Sequence, residues 1–399
     1  MKYYKIITFG LIFSICQFAT SQNNWTQKAN YPDNVANAVG FSIGNKGYLG
    51  LGWNPYQTNA FWQYNPLTDL WLQKSNFPGV FMGHSVGLTI NNKGYIGTGL
   101  SGSPSTFHNE FWEYNSTNDT WTQKANFGGT PRSEATGFTL NGKGYIGTGW
   151  SQTTGLNNDF WEYDQLNDSW SIKANFPGTP RSGAVSFSIN GKGYLGLGSD
   201  ATGFKKDLWE YNPSTNQWTQ KADFPDERTR VSCFIIEDVC YLGTGWASSG
   251  LKNDFWKYNA IDDIWTQVEN AGVLLRQSGV AFTLNNKGYM GTGSLYGTPY
   301  YNDFWEYIPT TNLSINGIEK EISSLFPNPF INELNIELNN IEETTINIYD
   351  TLGREIFTKT FNVSITVNTE KFTNNIYFYD LKTTKGVIKK GMIIKETSH

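Results

Sequence analysis

Cysteine is scarce in this chain of 399 residues: there are three, and Cys16 lies in an apolar N-terminal segment. Cys233 and Cys240 alone remain for the mature protein, so a disulfide framework is excluded and the fold must rest on burial and hydrogen bonding. Charge is also thin, with Asp, Glu, Lys and Arg at 16% and a formal net charge of −5. No basic field exists to attract phosphates, and nucleic acid is not an expected partner. Past the N-terminus no apolar run approaches the roughly 20 residues of a membrane helix, so no transmembrane segment is expected. Lys2 and Lys5 precede an apolar run from Ile6 to Phe18, followed by the small residues Ala19 and Ser21. That order predicts a secretory signal peptide at 1–21 and an exported protein.

What the chain has in quantity is aromatic residues, at 16%, and 41 glycines, a balance suited to short strands and tight turns. Aligned against itself it shows six units with a period of about 47 to 50 residues. Each unit opens on an alternating strand such as ATGFTL. Next comes GYxGxG, around Tyr48, Tyr95, Tyr145, Tyr194 and Tyr289, and in altered form at Tyr241. FWxY or LWxY follows, centred on Trp62, Trp112, Trp161, Trp209, Trp256 and Trp305. A second Trp stands nine residues later, at Trp71, Trp121, Trp170, Trp218 and Trp265. Asn and Gly pairs such as Asn141-Gly142 separate the first two stations and tolerate the positive φ of hairpin turns.

Four strands per unit and six units predict an all-β, six-bladed propeller over 22–308. The two Trp of each unit are expected to fill the space between blades. The sixth unit lacks its last Trp, because Ser314 stands where it should be, while NNWTQK at the N-terminus matches TWTQK at Trp121. Trp25 is therefore predicted to complete blade six and close the ring. The repeat resembles kelch repeats and the central propeller of galactose oxidase-like proteins over about residues 23 to 308. The kelch diglycine is altered here, with Leu51, Thr98, Thr148, Leu197, Thr244 and Thr292 in place of its first Gly. The copper site implied by the galactose oxidase resemblance is not carried over, since Cys233 and Cys240 fall on strands rather than upper loops. No cofactor or metal is expected.

After Tyr307 tryptophan vanishes and the repeat stops; 309–323 reads as a linker and 324–399 as a small Ig-like β-sandwich. Phe326-Pro327-Asn328-Pro329-Phe330, then Asp350 to Gly353-Arg354, Ile376-Tyr377 and Lys395 resemble the type A C-terminal sorting domain of the Bacteroidetes type IX secretion system. The resemblance implies delivery by that machinery to the medium or the outer-membrane cell surface.

Connections from strand two to three and from strand four to the next blade are the long ones, and in a propeller both emerge on one face. Variable loops on a rigid ring are where binding resides. Arg132, Arg181, Arg228 and Arg276 each lie six residues before the aligned aromatic of strand one. They read either as anion-binding guanidiniums or as ties between loop and backbone carbonyls. Trp53, Trp150 and Trp246, with Tyr300 in the same loop class, are candidate platforms for sugar faces or packing residues. His84 and His108 share this face without a third ligand. Cys233 and Cys240 sit diagonally across a hairpin, a spacing a disulfide can bridge only with distortion. The expected function is a non-catalytic recognition protein for a glycan or protein. The alternatives are a carbohydrate-active enzyme (oxidase, epimerase or lyase) and a structural matrix component.

Overall fold

A computed structural model describes residues 24–309 apart from 55, 81, 103, 271 and 273, and then 322–338, 343–383 and 386–396. The expected signal peptide and most of the expected linker lie outside the described residues. The chain divides into two units, Met1–Pro309 and Thr310–His399.

The first unit is built of six antiparallel four-stranded sheets. Blade three shows the pattern: Thr136–Leu140, Lys143–Gly147, Phe160–Asp164 and Ser169–Ile172 pair in chain order. Its first hairpin turns on Asn141 and Gly142, both at positive φ (52° and 73°), the geometry that matches the twist of the flanking strands. The first strand of every blade contacts the first strands of both neighbours, blade one touching blade six, so these strands wall a central channel.

Ring closure follows the predicted splice. Trp25–Lys28 pairs antiparallel with Phe304–Tyr307, Trp25 opposite Tyr307 and Gln27 opposite Trp305. Trp25 is 3% exposed and packs on Phe255 of blade five, with 4.8 Å between ring centroids.

Glycine is required where blades approach. A Cβ on Gly47 would lie 2.4 Å from the ring of Phe282, and one on Gly94 2.2 Å from that of Phe41, each a residue of the preceding blade. The same station in blade five is Cys240, buried with Phe187. The altered diglycine leaves the backbone unchanged. Leu51, Thr98, Thr148, Leu197, Thr244 and Thr292 all hold φ between 55° and 60°, in the left-handed region that Gly would adopt without strain.

Tryptophan does less of the filling than its abundance suggests. Among the twelve repeat tryptophans only Trp25 is fully buried, and the other eleven are half-buried. The buried filling comes from Tyr and Phe of strands two and three, such as Tyr95, Phe111 and Tyr163. An indole is more useful at the sheet margin, where its N–H finds an acceptor. Trp170 Nε1 donates to Ala125 O (3.0 Å), while Asp168 accepts from Ala125 N (3.0 Å) and Tyr163 Oη (2.7 Å). This latch to the preceding blade recurs at Trp71, Trp121, Trp218 and Trp265.

Cys233 and Cys240 are free thiols. The possible disulfide is not formed: Cys233 lies opposite Leu242 and Cys240 opposite Ile235, which places the two thiols on a diagonal of the ladder.

The second unit packs a three-stranded sheet (Ile322–Phe326, Glu333–Leu338, Ser364–Asn368) with a four-stranded one (Glu355–Phe361, Thr344–Tyr349, Ile376–Thr383, Gly386–Ile394). Phe330, Leu334, Ile336, Ile346, Ile348 and Leu381 are at the centre of its core.

Candidate functional site

The two long loop classes are stitched together on one face. In five blades the connection from strand two to three forms a two-stranded ribbon, such as Trp150–Ser151 with Gly155–Leu156. Its first residue bridges the loop entering the same blade, as Ser133 does with Trp150 and Thr229 with Trp246.

At the channel mouth on this face the six entry loops form a hydrogen-bonded ring. Asn37, His84, Glu134, Gly183, Arg230 and Ser278 stand at equivalent positions, all with φ between 52° and 62°. Each donates its N–H to the carbonyl of the residue one blade back, and Asn37 donates to Ser278 to complete the cycle, at 3.0–3.2 Å throughout. The backbone is thus fixed by six-fold repetition while the six side chains differ.

Three of those side chains converge. Arg230 Nη2 donates to Glu134 Oε1 at 2.5 Å across blade four, where Gly183 offers no side chain in the way. His84 Nδ1 lies 3.5 Å from the same carboxylate oxygen, and Arg230 Nη1 donates to Gln277 Oε1 at 3.3 Å. The side chains of His84, Glu134 and Arg230 are 16%, 15% and 31% exposed. Beneath them the channel opens into a cavity of about 200 Å³ with Ser85, Thr136, Ser186, Ser232 and Cys233 on its wall.

Burial, with a contribution from Arg230, lowers the His84 imidazole to about 4 despite Glu134 beside it. Burial would raise the Glu134 carboxyl, but His84 and the Arg230 guanidinium hold it below the ordinary range. At neutral pH the cluster is a neutral imidazole against a carboxylate–guanidinium pair. Because the folded state keeps His84 below its unfolded value of roughly 6.5, His84 costs nothing at pH 7. As pH falls from there toward 4 the unfolded chain takes up a proton that the folded chain refuses, and stability drops. Denaturant titrations should show a loss of about 2 to 3 kcal/mol by about pH 4.5 that is absent in His84→Gln. Parallel curves for the two proteins would contradict the assignment.

The four repeat arginines stand elsewhere, each held in an ion pair. Arg132 is fully buried and uses all five N–H groups: Nε to Thr130 O, Nη1 to Thr148 O and Asp159 Oδ1, Nη2 to Thr130 Oγ1 and Asp159 Oδ2. Arg181 with Asp207, Arg228 with Asp254 and Arg276 with Asp303 repeat the forked ion pair. The same carboxylate accepts the third-strand indole N–H, from Trp161 to Asp159 for example. The backbone of each arginine is bonded to the preceding blade, as in Arg132 N to His108 O, while its guanidinium reaches the following one. These arginines are interblade clamps, and of the two roles their sequence allowed, this geometry is the tie. The aspartates were missed, although every Arg-bearing unit carries Asp two residues before its FWxY Trp.

Trp150 is 40% exposed and packs on Phe107 of the preceding blade at 4.9 Å. Trp246 lies between Phe204 and Tyr296 at 5.3 and 6.2 Å, and Trp53 is wedged against Gly83. Tyr300 bridges Ser294 beside a groove at blade six. His108 bonds Ser101 Oγ at 2.6 Å, apart from the His84 cluster, and among the described residues no group of three or more His, Cys, Asp and Glu is placed to hold a metal. Gly40-Phe41-Ser42-Ile43-Gly44 and Gly83-His84-Ser85-Val86-Gly87 both spell G-x-S-x-G, but Ser42 lies inside a strand and Ser85 directly precedes one, so neither stands on a strand-to-helix elbow.

In the second unit Phe326 to Phe330 brackets the last strand. Asn328 Nδ2 donates to Met392 O (3.2 Å), Ile394 N donates to Asn328 Oδ1 (2.9 Å) and Phe330 N to Ile394 O (2.8 Å). Lys395 is nearly buried, with Nζ 5.8 Å from the Phe330 ring centroid, and Gly353 at φ 78° turns the chain so that Arg354 Nε donates to Asp350 Oδ2 (2.7 Å). Residues 324–395 match the secretion system C-terminal sorting domain. The sorting domain is that of type IX secretion and marks the protein as secreted or displayed at the cell surface. Among the described residues no helix is long and apolar enough to cross a membrane. The chain is also similar to the solved structure of YjhT, with a TM-score of 0.62 and 17% identity, covering 71% of this chain and 98% of that one. At that identity the likeness shows the propeller fold alone. No curated protein matches the chain.

Proposed function

We propose that this is an exported recognition protein that holds a glycan or a protein on the loop-rich propeller face, delivered there by its sorting domain. The observation that carries the reading is the channel mouth. His84, Glu134 and Arg230 come from three blades, stand on a backbone ring held by repeated hydrogen bonds, and remain partly exposed. Aromatic pairs at Trp150 and Trp246 flank it. Charged and hydrogen-bonding groups on rigid supports, with aromatic surface beside them, are what orient a bound ligand.

A glycan and protein array probed with the chain lacking its signal peptide tests this. Wild type is expected to show a defined binding class, which Glu134→Gln/Arg230→Gln reduces by about tenfold, since removing both charges together strands neither. Silence across the array, with turnover detected instead, would overturn the proposal. A second reading, a carbohydrate-active enzyme on a galactose oxidase-like propeller, draws on the neutral imidazole beside a carboxylate, an arrangement suited to proton transfer. Turnover abolished by His84→Gln would favour it.

A further inference from the structure

The loop-rich face carries a second cavity, over the end of blade six, of about 340 Å³. Its walls come from both ends of the propeller unit, Gln27 and Asn34 from the closing ribbon and its loop and Tyr300, Asn302 and Trp305 from blade six, with Gly272 and the exposed Leu274 added by the loop entering blade six. Gln27 sits opposite Trp305 in the closing register, so this groove exists because the N-terminal ribbon completes the sheet.

Blade four has a groove at the same place, of about 480 Å³. There Lys205, Lys206, Asp223 and Glu227 line it, Lys206 lying 3.6 Å from Asp223. The aligned residues in unit six are Tyr301, Asn302, Asn30 and Asn34, so every one of these charges has been replaced by an amide or a phenol. One carboxylate remains, Asp303, and it is occupied by Arg276 (2.8 and 2.5 Å) and by Trp305 Nε1 (2.7 Å). The Tyr301 ring is likewise taken, lying 5.0 Å from the Arg276 guanidinium.

What is left is uncharged and amide-rich. Gln27 Nε2 donates to Asn30 Oδ1 (3.3 Å) and Asn30 Nδ2 to Asn302 Oδ1 (3.4 Å), a chain that leaves further amide donors and acceptors unspent. Tyr300 and Trp305 are half-buried and add aromatic surface. Aromatic faces accept the C–H face of a pyranose, planar amides pair with vicinal hydroxyls, and the lack of free charge gives no return for desolvating an ionic ligand. We propose that the blade-six groove is a binding subsite for an uncharged sugar, contacted by Tyr300 and Trp305 and hydrogen-bonded by Gln27, Asn34 and Asn302. The proposal rests on the glycan reading of this face and deepens it by naming a second site with its own chemistry.

Saturation-transfer NMR on the chain lacking its signal peptide, with maltose, cellobiose and xylobiose as probes and glucuronate as the charged comparison, tests it. Transfer to at least one neutral disaccharide is expected. Tyr300→Ala and Gln27→Ala should each weaken it by about tenfold, Tyr300→Phe should preserve it, and glucuronate should give none. Melting temperatures near wild type exclude unfolding as the cause. No transfer to any of the three disaccharides, transfer indifferent to Tyr300→Ala, or equal transfer to glucuronate would each overturn the groove assignment. Loss of transfer in Glu134→Gln/Arg230→Gln alone would remove the groove but leave glycan binding at the channel mouth. An array positive for proteins only would remove both.

Discussion

Trp25→Ala should lower the melting temperature more than the same change at any other repeat tryptophan, by on the order of 10 °C, for a loss of about 3 to 5 kcal/mol. The indole is almost fully buried and touches rings from two blades, Phe234 and Phe255 of blade five and Tyr307 of blade six. Its strand is also the one fourth strand with no covalent link to the third. Elsewhere a tight turn joins the two, and an Asp or Asn in that turn binds the preceding blade, as Asp69 binds Ala29 N and Asp168 binds Ala125 N. Blade six has no such turn, because its third and fourth strands lie at opposite ends of the unit. Loosening Trp25 therefore opens a sheet edge as well as a cavity. Calorimetry gives the magnitude, and hydrogen exchange gives the location: amides of Phe304–Tyr307 should lose protection before those of blade three. Trp71→Ala, at a half-buried indole on a covalently held strand, is the comparison. An equal effect at the two positions would mean that Trp25 does not secure the seam.

The architecture was legible because it is written six times. Stations that recur must satisfy the same packing in every blade, so a misread in one unit is corrected by the other five. Closure was legible for the same reason, since NNWTQK is a fourth strand out of place. The channel mouth was not legible by that route. Asn37, His84, Glu134, Gly183, Arg230 and Ser278 are six different residues at one station, and a search for sameness passes over all but His84, which its imidazole singled out and set beside His108 rather than Glu134 and Arg230. The available signal was the opposite one: four residues before the strand-one aromatic, or before Leu88 in blade two, the six entry loops carry six different side chains. Repetition left two readings of the arginines open. Four guanidiniums in register suggest a ring around a ligand, whereas a feature that recurs blade after blade most often serves the junctions between blades.

Removing one arm of a single clamp should be costly, and removing both arms should restore much of the loss. Arg132→Met leaves the Asp159 carboxylate, 24% exposed, without the guanidinium that neutralises it and deprives Thr148 O of its donor. Breaking a buried pair on one side costs about 3 to 5 kcal/mol, while replacing both partners with apolar groups is often near neutral. The chain itself supplies the replacement. Blade one carries Val35 and Ala60 at the two positions, and Val35 is fully buried in an apolar cluster. Blade two is intermediate, with buried Met82 at the arginine position and Glu110 at the aspartate position, its carboxylate still engaged by Trp112 Nε1 at 3.0 Å. Arg132→Met/Asp159→Ala should therefore unfold at a denaturant concentration well above that of Arg132→Met alone, although Trp161 Nε1 then loses its acceptor and some deficit should persist. Denaturant melts of the two single variants and the double variant form a cycle whose coupling term isolates the pair. Additive losses would mean that the arginine and the aspartate act independently, and that blade junctions are held by the aromatic contacts and the backbone latch alone.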